Sequence, residues 1–218
     1  MRYVSGMDEP LPGPAAGAYV LAAHPNWRES RVNKKLLHAA RGVEGADVQD
    51  LYAAYPDYDI DVQAEQRRVS ARPLLVLLHP IQWYSMPALM KLWLDDVLTH
   101  NWAYGHQGTA LQGKDLWLVA TTGGPEASYH PQGYNRYFFD AFLPPYEQTA
   151  ALCGMRFLPP LLMHGANRAS AAEIDAHVAV FADRLRTYPD WPEMDEIASC
   201  VACEIPTGDR PVDHEAGA

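Results

Sequence analysis

The sequence predicts a three-layer α/β/α fold around a five-stranded parallel sheet, and two observations predict it. Short, almost fully apolar runs alternate five times with amphipathic or polar segments, a pattern typical of strands that helices cover on both faces. The segments with the most unusual polar and aromatic groups follow strands, which is where ligands bind in open parallel sheets. Five strands fit the order 2-1-3-4-5, with a site beyond the carboxyl ends of strands one and three.

Length and composition exclude several classes of protein. A chain of 218 residues that is 48% hydrophobic and 20% charged is expected to form one domain with a sizeable core. Its formal net charge of −10 argues against broad binding to nucleic acid. No apolar run reaches the roughly 18 residues that predict a membrane span. Three cysteines in a chain of this length do not predict a disulfide framework, so a reducing cytosol is the expected setting.

The first predicted strand and the helix after it contain a candidate anion site. Residues 18–23 (AYVLAA) indicate the strand, which ends at His24 and Pro25. Ser30 stands where a helix N-cap is expected, before an amphipathic run that stops at Gly42. Free N–H groups at a helix start favour an anion such as phosphate, although this motif alone is more typical of a plain N-cap.

The middle of the chain is predicted to form an edge strand, a short helix and the central strand. Residues 46–52 alternate weakly, which suits an edge strand, and residues 55–61 form a turn-rich acidic link. Residues 61–68 indicate a short exposed helix. Residues 74–78 (LLVLL) lack polar alternation and predict a central strand covered on both faces. The segment 79–84 that follows carries polar and aromatic groups suited to one wall of a ligand pocket.

The next helix, loop and strand continue this pattern. A helix is predicted from Pro87 to Leu98, because apolar residues recur at helical spacing after a proline that suits a first turn. Residues 100–113, with aromatic groups between glycines, are expected to form a loop that lies over a flat ligand. Residues 115–120 predict the fourth strand, and the two glycines of residues 121–124 let the backbone approach a ligand closely.

The last predicted elements are a helix, an irregular strand and a well-signalled helix. Residues 136–153 are expected to be partly helical, with a break or kink at Pro144 and Pro145. Residues 155–163 predict the fifth strand, whose proline pair indicates a bulge or an edge position. A capping box of Ser and Glu is expected to start a helix over residues 170–186.

One domain is predicted between two unstructured ends. Residues 1–17, with three prolines and three glycines, are expected to form a flexible arm that lacks the features of a secretory signal. Residues 18–189 form the predicted domain. Residues 190–218 contain prolines and acidic groups without an apolar period, which is typical of a disordered tail.

Several candidate motifs do not require a metal site or a catalytic nucleophile. His100 and His106 have no third ligand nearby in the sequence, so no metal site is predicted. Cys200 and Cys203 form an isolated pair, for which labile metal binding, redox chemistry and an inert tail all stay open. His79 is consistent with a histidine that simply ends a strand. The G-x-S-x-G and P-loop patterns are missing from the sequence, which argues against a hydrolase or a P-loop nucleotide-binding protein.

Three predicted loops therefore converge at one edge of the sheet, and their chemistry suits a planar cofactor that carries a phosphate. Residues 24–33 offer an anion site, residues 79–84 offer aromatic and amide groups, and residues 121–124 offer bare backbone. Since neither a metal nor a peptide needs this combination, a nucleotide-like cofactor is the preferred interpretation.

The same loops carry a family resemblance. His24-Pro25 with Ser30 and Asn33, the run HPIQWYSMPALMKLWLDDV and the motifs LYAAYPDYDID, WAYG, GTALQGK and TTGG resemble the flavodoxin-like NAD(P)H:quinone oxidoreductases. Within that class the chain is most similar to the flavoproteins that are ancillary subunits of glutathione-regulated potassium-efflux systems. The resemblance spans residues 19–185.

The resemblance implies which residues hold a flavin. One group is expected at the phosphate and ribityl chain, a second along the ring edge and a third on the other side of the ring. The first group is His24, Ser30, Arg31, Val32 and Asn33; the second is Ile81, Gln82, Trp83 and Tyr84; the third is Thr121, Thr122, Gly123 and Gly124. Tyr129 matches a tyrosine that assists hydride transfer in the family, whereas the position of the family's histidine falls on Asn135. His130 is a nearby second catalytic candidate that is out of register.

The resemblance also implies the activity. It indicates an FMN-dependent enzyme, with FAD not separated by the sequence, that passes a hydride from NAD(P)H to the flavin and then reduces a quinone. Two alternatives stay open: a non-catalytic flavin-binding subunit of a potassium-efflux antiporter, and a flavin azo- or nitroreductase. A cytoplasmic homodimer is expected, with its interface on the Trp93-bearing helix and the loop 100–113, and association with the inner face of the membrane stays open.

Overall fold

The computed structural model describes residues 17–195 and residue 197, and these residues adopt the fold expected from the sequence. Five parallel strands form a sheet in the order β2-β1-β3-β4-β5, which confirms the predicted order 2-1-3-4-5. Each neighbouring pair is in parallel register, for example Val20 opposite Val76 and Val76 opposite Trp117. The strands are β1 (Ala18–Ala22), β2 (Asp47–Asp50), β3 (Leu74–Pro80), β4 (Asp115–Thr121) and β5 (Arg156–Met163).

Helices connect the strands and form the outer two layers. The α-helices are α1 (Asn33–Arg41), α2 (Leu51–Ala54), α3 (Val62–Ser70), α4 (Ala88–Val97), α5 (Pro144–Leu152) and α6 (Ala171–Thr187). Short 3-10 helices cover Glu126–Ser128, Phe139–Phe142 and Pro192–Asp195. Helices α1 and α6 pack against each other on one face of the sheet. The other four α-helices contribute buried residues to the opposite face.

The central strand is buried on both faces, as its unbroken apolar sequence predicts. Leu75 and Leu77 of β3 pack in the layer with α2 to α5, whereas Val76 between them packs in the layer with α1 and α6. Successive side chains of a strand point to opposite faces, so an all-apolar run fills both layers at once. This sheet places the carboxyl ends of β1, β3 and β4 side by side.

The predicted start of the first helix is wrong by two residues, because Ser30 was expected at the N-cap and Val32 occupies it. Helix α1 begins at Asn33, with Val32 at the N-cap position and no side-chain cap. Ser30 lies a turn earlier, and its hydroxyl oxygen accepts a hydrogen bond of 3.1 Å from the Lys34 backbone N–H. Residues 24–32 therefore form a longer loop than expected. The predicted stop at Gly42 is confirmed as the C-cap.

Two further corrections concern the segment after β1. The predicted edge strand 46–52 is shorter, because Asp50 caps helix α2 through its side chain and ends the strand. The helix predicted as exposed over residues 61–68 is present as α3, but its Glu65 is completely buried. The Glu65 carboxylate accepts hydrogen bonds from the Tyr19 hydroxyl and from Trp93 Nε1, the latter at 2.8 Å. These partners compensate the buried charge.

Prolines act differently in the two places where they were expected to disturb structure. Pro144 and Pro145 begin helix α5 and do not break it, because the first turn of a helix needs no N–H donor. In β5 the register with β4 shifts between the partners of Trp117 and Val119, and Pro159 and Pro160 lie there. The predicted bulge and edge position of the fifth strand are both confirmed.

The C-terminal helix begins as predicted, but the folded part continues past it. Ser170 and Glu173 form a complete capping box at the start of α6. Trp191, which was assigned to the disordered tail, is only 4% exposed and packs edge-on against Trp117 with ring centroids 4.9 Å apart. Residues 1–16 of the arm predicted for residues 1–17, and residues 196 and 198–218 of the predicted tail, lie outside the described residues. In the described part of the chain, no helix is long and apolar enough to cross a membrane.

Candidate functional site

A cavity of about 210 Å³ opens at the carboxyl ends of β1, β3 and β4. Ten of the residues expected at a flavin line it, and they come from all three predicted loops. The lining residues are His24, Glu29, Ser30, Arg31, Val32, Asn33, Pro80, Ile81, Gln82, Thr121, Thr122, Gly123, Ala166 and Asn167. Trp83, Tyr84 and Gly124 lie outside this lining. The structure adds Ala166 and Asn167 from a fourth loop, between β5 and α6, which the sequence did not indicate.

The start of α1 is tied to the neighbouring loops by polar side chains. The Arg31 guanidinium donates hydrogen bonds of 2.9 Å to the carbonyl oxygens of Asn167 and Ala169. The Asn33 side chain donates one of 2.8 Å to the Thr121 hydroxyl. Asn33 Oδ1 is buried and meets no hydrogen-bond partner within the part of the chain that the structure describes. A buried polar atom at the cavity wall without a protein partner points to a polar ligand.

His24 occupies the rim of the cavity next to this helix start. Its Nδ1 accepts a hydrogen bond of 3.1 Å from the Asn26 backbone N–H. Burial lowers the pKa of His24, although Asp50 and Glu29 oppose this effect, so the imidazole favours the neutral form at neutral pH. The fixed positive charge at this end of the cavity is therefore the guanidinium of Arg31.

The aromatic loop after β3 is a strained two-residue turn. Gln82 and Ser85 pair through backbone hydrogen bonds of 2.9 and 3.0 Å, which leaves Trp83 and Tyr84 at the tip. Their φ angles are 48° and 65°, a region that large side chains rarely adopt. Trp83 is 94% exposed, so no packing inside the described chain explains its position. Strain of this kind at a pocket is typical of a residue held in place for a ligand.

Tyr84 connects this turn to the loop between β4 and α5. Its ring stacks on Phe142 with centroids 5.2 Å apart, and its hydroxyl makes a long hydrogen bond of 3.4 Å to Asn135 Oδ1. Asn135 is buried and donates a hydrogen bond of 2.8 Å to the Ser128 hydroxyl. Asn135, the position where the family's histidine falls, thus supports the aromatic turn in this chain.

The two glycines after β4 have different roles. Gly123 lines the cavity. A Cβ on Gly124 would come within 2.7 Å of the Tyr134 hydroxyl and 2.9 Å of Ser128 Oγ. Gly124 is therefore required by packing inside the protein, and the expectation that it touches a ligand is not supported by the cavity lining. Of these two glycines, Gly123 is the one placed where its backbone could approach a ligand in the cavity.

Neither of the two catalytic candidates, Tyr129 and His130, is among the residues that line the cavity. Tyr129 is buried in the loop that follows the cavity-lining Thr122 and Gly123, and burial raises its pKa above the ordinary value. His130 is turned to its own loop, where Nδ1 lies 3.1 Å from the Gln132 backbone N–H. His130 is thus held within its own loop and does not line the cavity.

A histidine that the sequence reasoning missed lies beside Tyr129. His164 follows β5 directly, its ring centroid is 5.2 Å from that of Tyr129, and its Nδ1 is 3.0 Å from the Thr122 hydroxyl. The available signal was its place after a strand, since the other site loops also follow strands. The sequence indicated only an irregular strand here, because of the proline pair in β5, and did not indicate a site residue after it.

Three other sequence features have the following places in the structure. His79 is fully buried behind the cavity, where its Nδ1 hydrogen-bonds with the Pro80 carbonyl at 3.0 Å, so it ends the strand and does not line the cavity. Trp102, in the loop expected over the ligand, borders a separate surface depression beside helix α3. No cluster of three or more potential metal ligands occurs among the described residues, and Cys200 and Cys203 lie outside them.

Known proteins resemble this chain in sequence and in fold. A family model described as a flavodoxin-like fold matches residues 18–185. The glutathione-regulated potassium-efflux system ancillary protein KefF of Citrobacter koseri is 46% identical over 145 residues, which is 66% of this chain and 81% of that protein. General stress protein 14 of Treponema denticola, solved in complex with FMN, is 36% identical with a TM-score of 0.74, covering 78% of this chain and 97% of that one. An NADPH-quinone reductase of P. pentosaceus is 25% identical with a TM-score of 0.70, covering 78% and 97%.

Proposed function

The chain belongs to the flavodoxin-like fold family whose model it matches over residues 18–185, and on that premise we propose that it is an FMN-dependent NAD(P)H:quinone oxidoreductase. The observation that carries the proposal is the cavity at the carboxyl ends of β1, β3 and β4, where a helix start, an aromatic turn and a bare glycine meet. This is the crevice in which open α/β sheets bind their ligands. The FMN complex and the quinone reductase among the similar structures support the same assignment.

The polar end of the cavity fits the phosphate and ribityl chain of FMN. The start of α1 presents N–H groups that have no partner within the helix, and Arg31 supplies a fixed positive charge. Asn33 Oδ1, which has no hydrogen-bond partner in the described part of the chain, offers an acceptor for a ribityl hydroxyl. His24, Ser30 and Val32 complete this wall. The donor and acceptor set thus matches an anion joined to a polyol.

The flat end of the cavity fits the flavin ring. The enclosed volume of about 210 Å³ is smaller than the roughly 300–1,000 Å³ of typical cofactor pockets, so only part of the molecule is enclosed. Ile81, Gln82 and Gly123 lead from the enclosed part to the open turn, where Trp83 and Tyr84 present aromatic surface. An open ring face is needed if nicotinamide and quinone are to reach it in turn.

When bound, FMN supplies the two-electron chemistry, because it accepts a hydride from NAD(P)H and passes the reducing equivalents to a quinone. The protein orients the reactants and holds a proton nearby. Tyr129 is suited to hold that proton, because burial raises its pKa and so keeps the phenol protonated at neutral pH, and because it lies in the loop that follows the cavity-lining Thr122 and Gly123. Water is limited on the inner side by the buried Thr121 and Thr122.

One experiment tests the proposal directly. The purified protein is expected to show a flavin absorption band, or to acquire one when FMN is added and excess is removed. Anaerobic NADH or NADPH should bleach the band, and a quinone should restore it. FAD offered in place of FMN, and azo and nitro compounds in place of the quinone, test the neighbouring alternatives. A colourless protein that retains neither flavin would contradict the proposal.

A second candidate function is favoured by the similarity to the ancillary protein of a potassium-efflux system. In this alternative the chain is a flavin-binding subunit of an antiporter at the inner face of the membrane, and its redox activity is incidental. Potassium efflux from cells that co-express such an antiporter separates the two. A Tyr129→Phe variant should support full efflux if only binding matters, whereas reduced efflux in proportion to lost reductase activity indicates that catalysis matters.

We also infer a homodimer, with a different surface from the one that the sequence indicated. Trp93 is fully buried and donates to Glu65, so the helix that carries it presents charged residues to solvent and not this aromatic ring. Exposed aromatic groups occur instead beside the cavity, at Trp83, Tyr134 and Phe138. Contiguous aromatic surface of this kind is typical of contact sites. A monomeric mass in sedimentation equilibrium, with FMN bound, would count against the dimer.

A further inference from the structure

The side chain of Arg31 bridges two loops at the cavity. Its guanidinium donates two hydrogen bonds of 2.9 Å, one from each terminal nitrogen, to the carbonyl oxygens of Asn167 and Ala169. Arg31 belongs to the loop before α1, and the two acceptors belong to the loop between β5 and α6. Because both loops line the cavity, the bridge joins two of its walls.

The bridge lies on the outer side of the cavity. Arg31 and Asn167 are exposed to solvent. Val32 and Asn33, which line the cavity beside Arg31, are only 2% and 3% exposed. Thr122 on the opposite wall is also buried. An anion at the start of α1 therefore has buried residues on its inner side and the guanidinium on its outer side.

The loop that accepts these two hydrogen bonds is anchored independently of the bridge. The Gly165 N–H donates a hydrogen bond of 2.8 Å to the Gly124 carbonyl oxygen, and the Ala166 N–H donates one of 2.9 Å to the Thr122 carbonyl oxygen. At the other end of the loop, the Ser170 side chain caps helix α6. The loop is therefore held at both ends, and the guanidinium is the part of the bridge that is free to move.

The guanidinium keeps donors for a phosphate while it holds the bridge. The two carbonyl bonds use two of the five N–H donors that a guanidinium carries in its planar fork, which leaves three for an anion at the start of α1. The positive charge and the free N–H groups of the helix start favour the same anion. A terminal phosphate can therefore bind without opening the bridge.

We propose that Arg31 selects FMN over FAD, because its bridge closes the outer rim at the phosphate end of the cavity. FMN ends at its phosphate, whereas in FAD the same phosphate continues into a second phosphate and an adenosine. A chain that continues must leave through the rim, so FAD requires the bridge to open. The inference rests on the proposed function, because it identifies the residue that determines which flavin the same cavity binds.

Flavin titration of the full-length protein, freed of any bound flavin, tests this selection. The wild type should bind FMN at least about tenfold more tightly than FAD, because opening the bridge breaks at least one charge-assisted hydrogen bond. Arg31→Lys keeps the charge but lacks the planar fork that joins the two carbonyl oxygens, so it should reduce the ratio of the two dissociation constants to less than about threefold.

Arg28→Lys is the matched control for this titration. It makes the same change in the same loop, at an exposed residue that does not line the cavity, and it should keep the wild-type ratio. Equal affinity of the wild type for FMN and FAD, or an Arg31→Lys variant that discriminates as strongly as the wild type, would overturn the selection alone. A wild type that binds neither flavin would overturn the proposed function and the selection with it.

A second measurement needs no flavin. Side-chain ¹H–¹⁵N spectra of the full-length protein should show separate Nη signals for Arg31, because two hydrogen bonds restrict rotation of the guanidinium. Arg28 is the internal control and should show averaged signals, because its hydrogen bond to Asn26 involves the backbone N–H and not the guanidinium. Averaged signals for Arg31 would overturn the bridge, whatever the titration shows.

Discussion

The Asn33 side chain donates a hydrogen bond of 2.8 Å to the Thr121 hydroxyl, which joins the first residue of α1 to the last residue of β4. Both side chains are buried. The bond holds the helix start at the cavity, where Asn33 Oδ1 is buried and meets no hydrogen-bond partner among the described residues. The same residue thus contributes to stability through its nitrogen and is available to a ligand through its oxygen.

Replacing Thr121 by Val should therefore affect both stability and flavin binding. The change keeps the shape but leaves a buried amide N–H without an acceptor, which costs about 1–3 kcal/mol. Thermal unfolding without ligand should show this loss, and FMN titration should show weaker binding. Thr121→Ser keeps the hydroxyl and is the matched control. A valine variant as stable as the serine variant would show that the bond is unimportant.

Arg31→Gln should weaken FMN binding by one to two orders of magnitude, because a charge-assisted hydrogen bond contributes about 1.5–3 kcal/mol. The change also removes the link to the carbonyl oxygens of Asn167 and Ala169. Lys35→Gln removes the same charge from an exposed ion pair with Asp175 and should bind FMN normally. Fluorescence titration at several salt concentrations measures both. Equal FMN affinity in the two variants would contradict the role of Arg31 in binding the phosphate.

Stability should fall as the pH is lowered from about 6.5 to about 4, and His79 should cause much of this loss. Burial lowers the pKa of His79 from 6.5 to about 4, so below the unfolded value the unfolded chain binds a proton that the folded chain excludes. Above pH 6.5 the effect is absent, and below pH 4 it is complete at about 3 kcal/mol. Denaturant unfolding across this range should give a flatter profile for His79→Gln. If the variant and the wild type lose stability equally as the pH falls, then His79 does not cause the loss and other histidines do.

Trp83→Asn should weaken flavin binding without destabilising the protein. Asn accepts a positive φ more readily than Trp, and a side chain that is 94% exposed loses little burial when it is removed. The free energy of unfolding should be unchanged or up to about 1 kcal/mol higher than that of the wild type. The affinity for FMN should fall about tenfold. Tyr58→Asn is the matched control, because Tyr58 also has a positive φ of 67° but lies in the acidic link. Its FMN affinity should equal that of the wild type.

Trp191→Ala should destabilise the whole domain, although Trp191 lies in the segment first assigned to the tail. The ring packs on Trp117, and its Nε1 donates 2.8 Å to the Arg184 carbonyl. Truncating a buried Trp costs about 3–5 kcal/mol. Trp191→Phe keeps most of the contact and should lose clearly less. If calorimetry finds the alanine variant as stable as the wild type, then Trp191 belongs to the tail and not to the folded domain.

The sequence was sufficient for the sheet because strand signals are local. The runs at Val76 and Val119 are apolar on both faces, and no other element explains such runs. Three site loops could be assigned because they follow strands, and parallel strands end at one edge. The order of apolar and polar segments along the sequence was therefore enough to predict the sheet and the edge at which the site lies.

The missed features depend on partners that are distant in the sequence. Glu65 looks like a solvated residue of a surface helix, yet its partner Tyr19 lies 46 positions away and its partner Trp93 28 positions away. The start of α1 was misplaced because Ser30 resembles a cap, whereas its hydroxyl binds the Lys34 N–H inside a longer loop. His164 and Asn167 were missed because the fourth loop carries no aromatic or glycine cluster. Local propensity does not encode these contacts.

The two outer strands of the sheet decide how copies of this protein can associate. Strand β5 carries Pro159 and Pro160, which lack the N–H groups that a further strand would need, and β2 on the other side has only four residues. Neither strand is a good template for edge-to-edge pairing, so the sheet is protected against growing into a continuous intermolecular sheet. Any stable assembly must then form through side chains, and the aromatic groups around Trp83 are the most exposed of these beside the cavity.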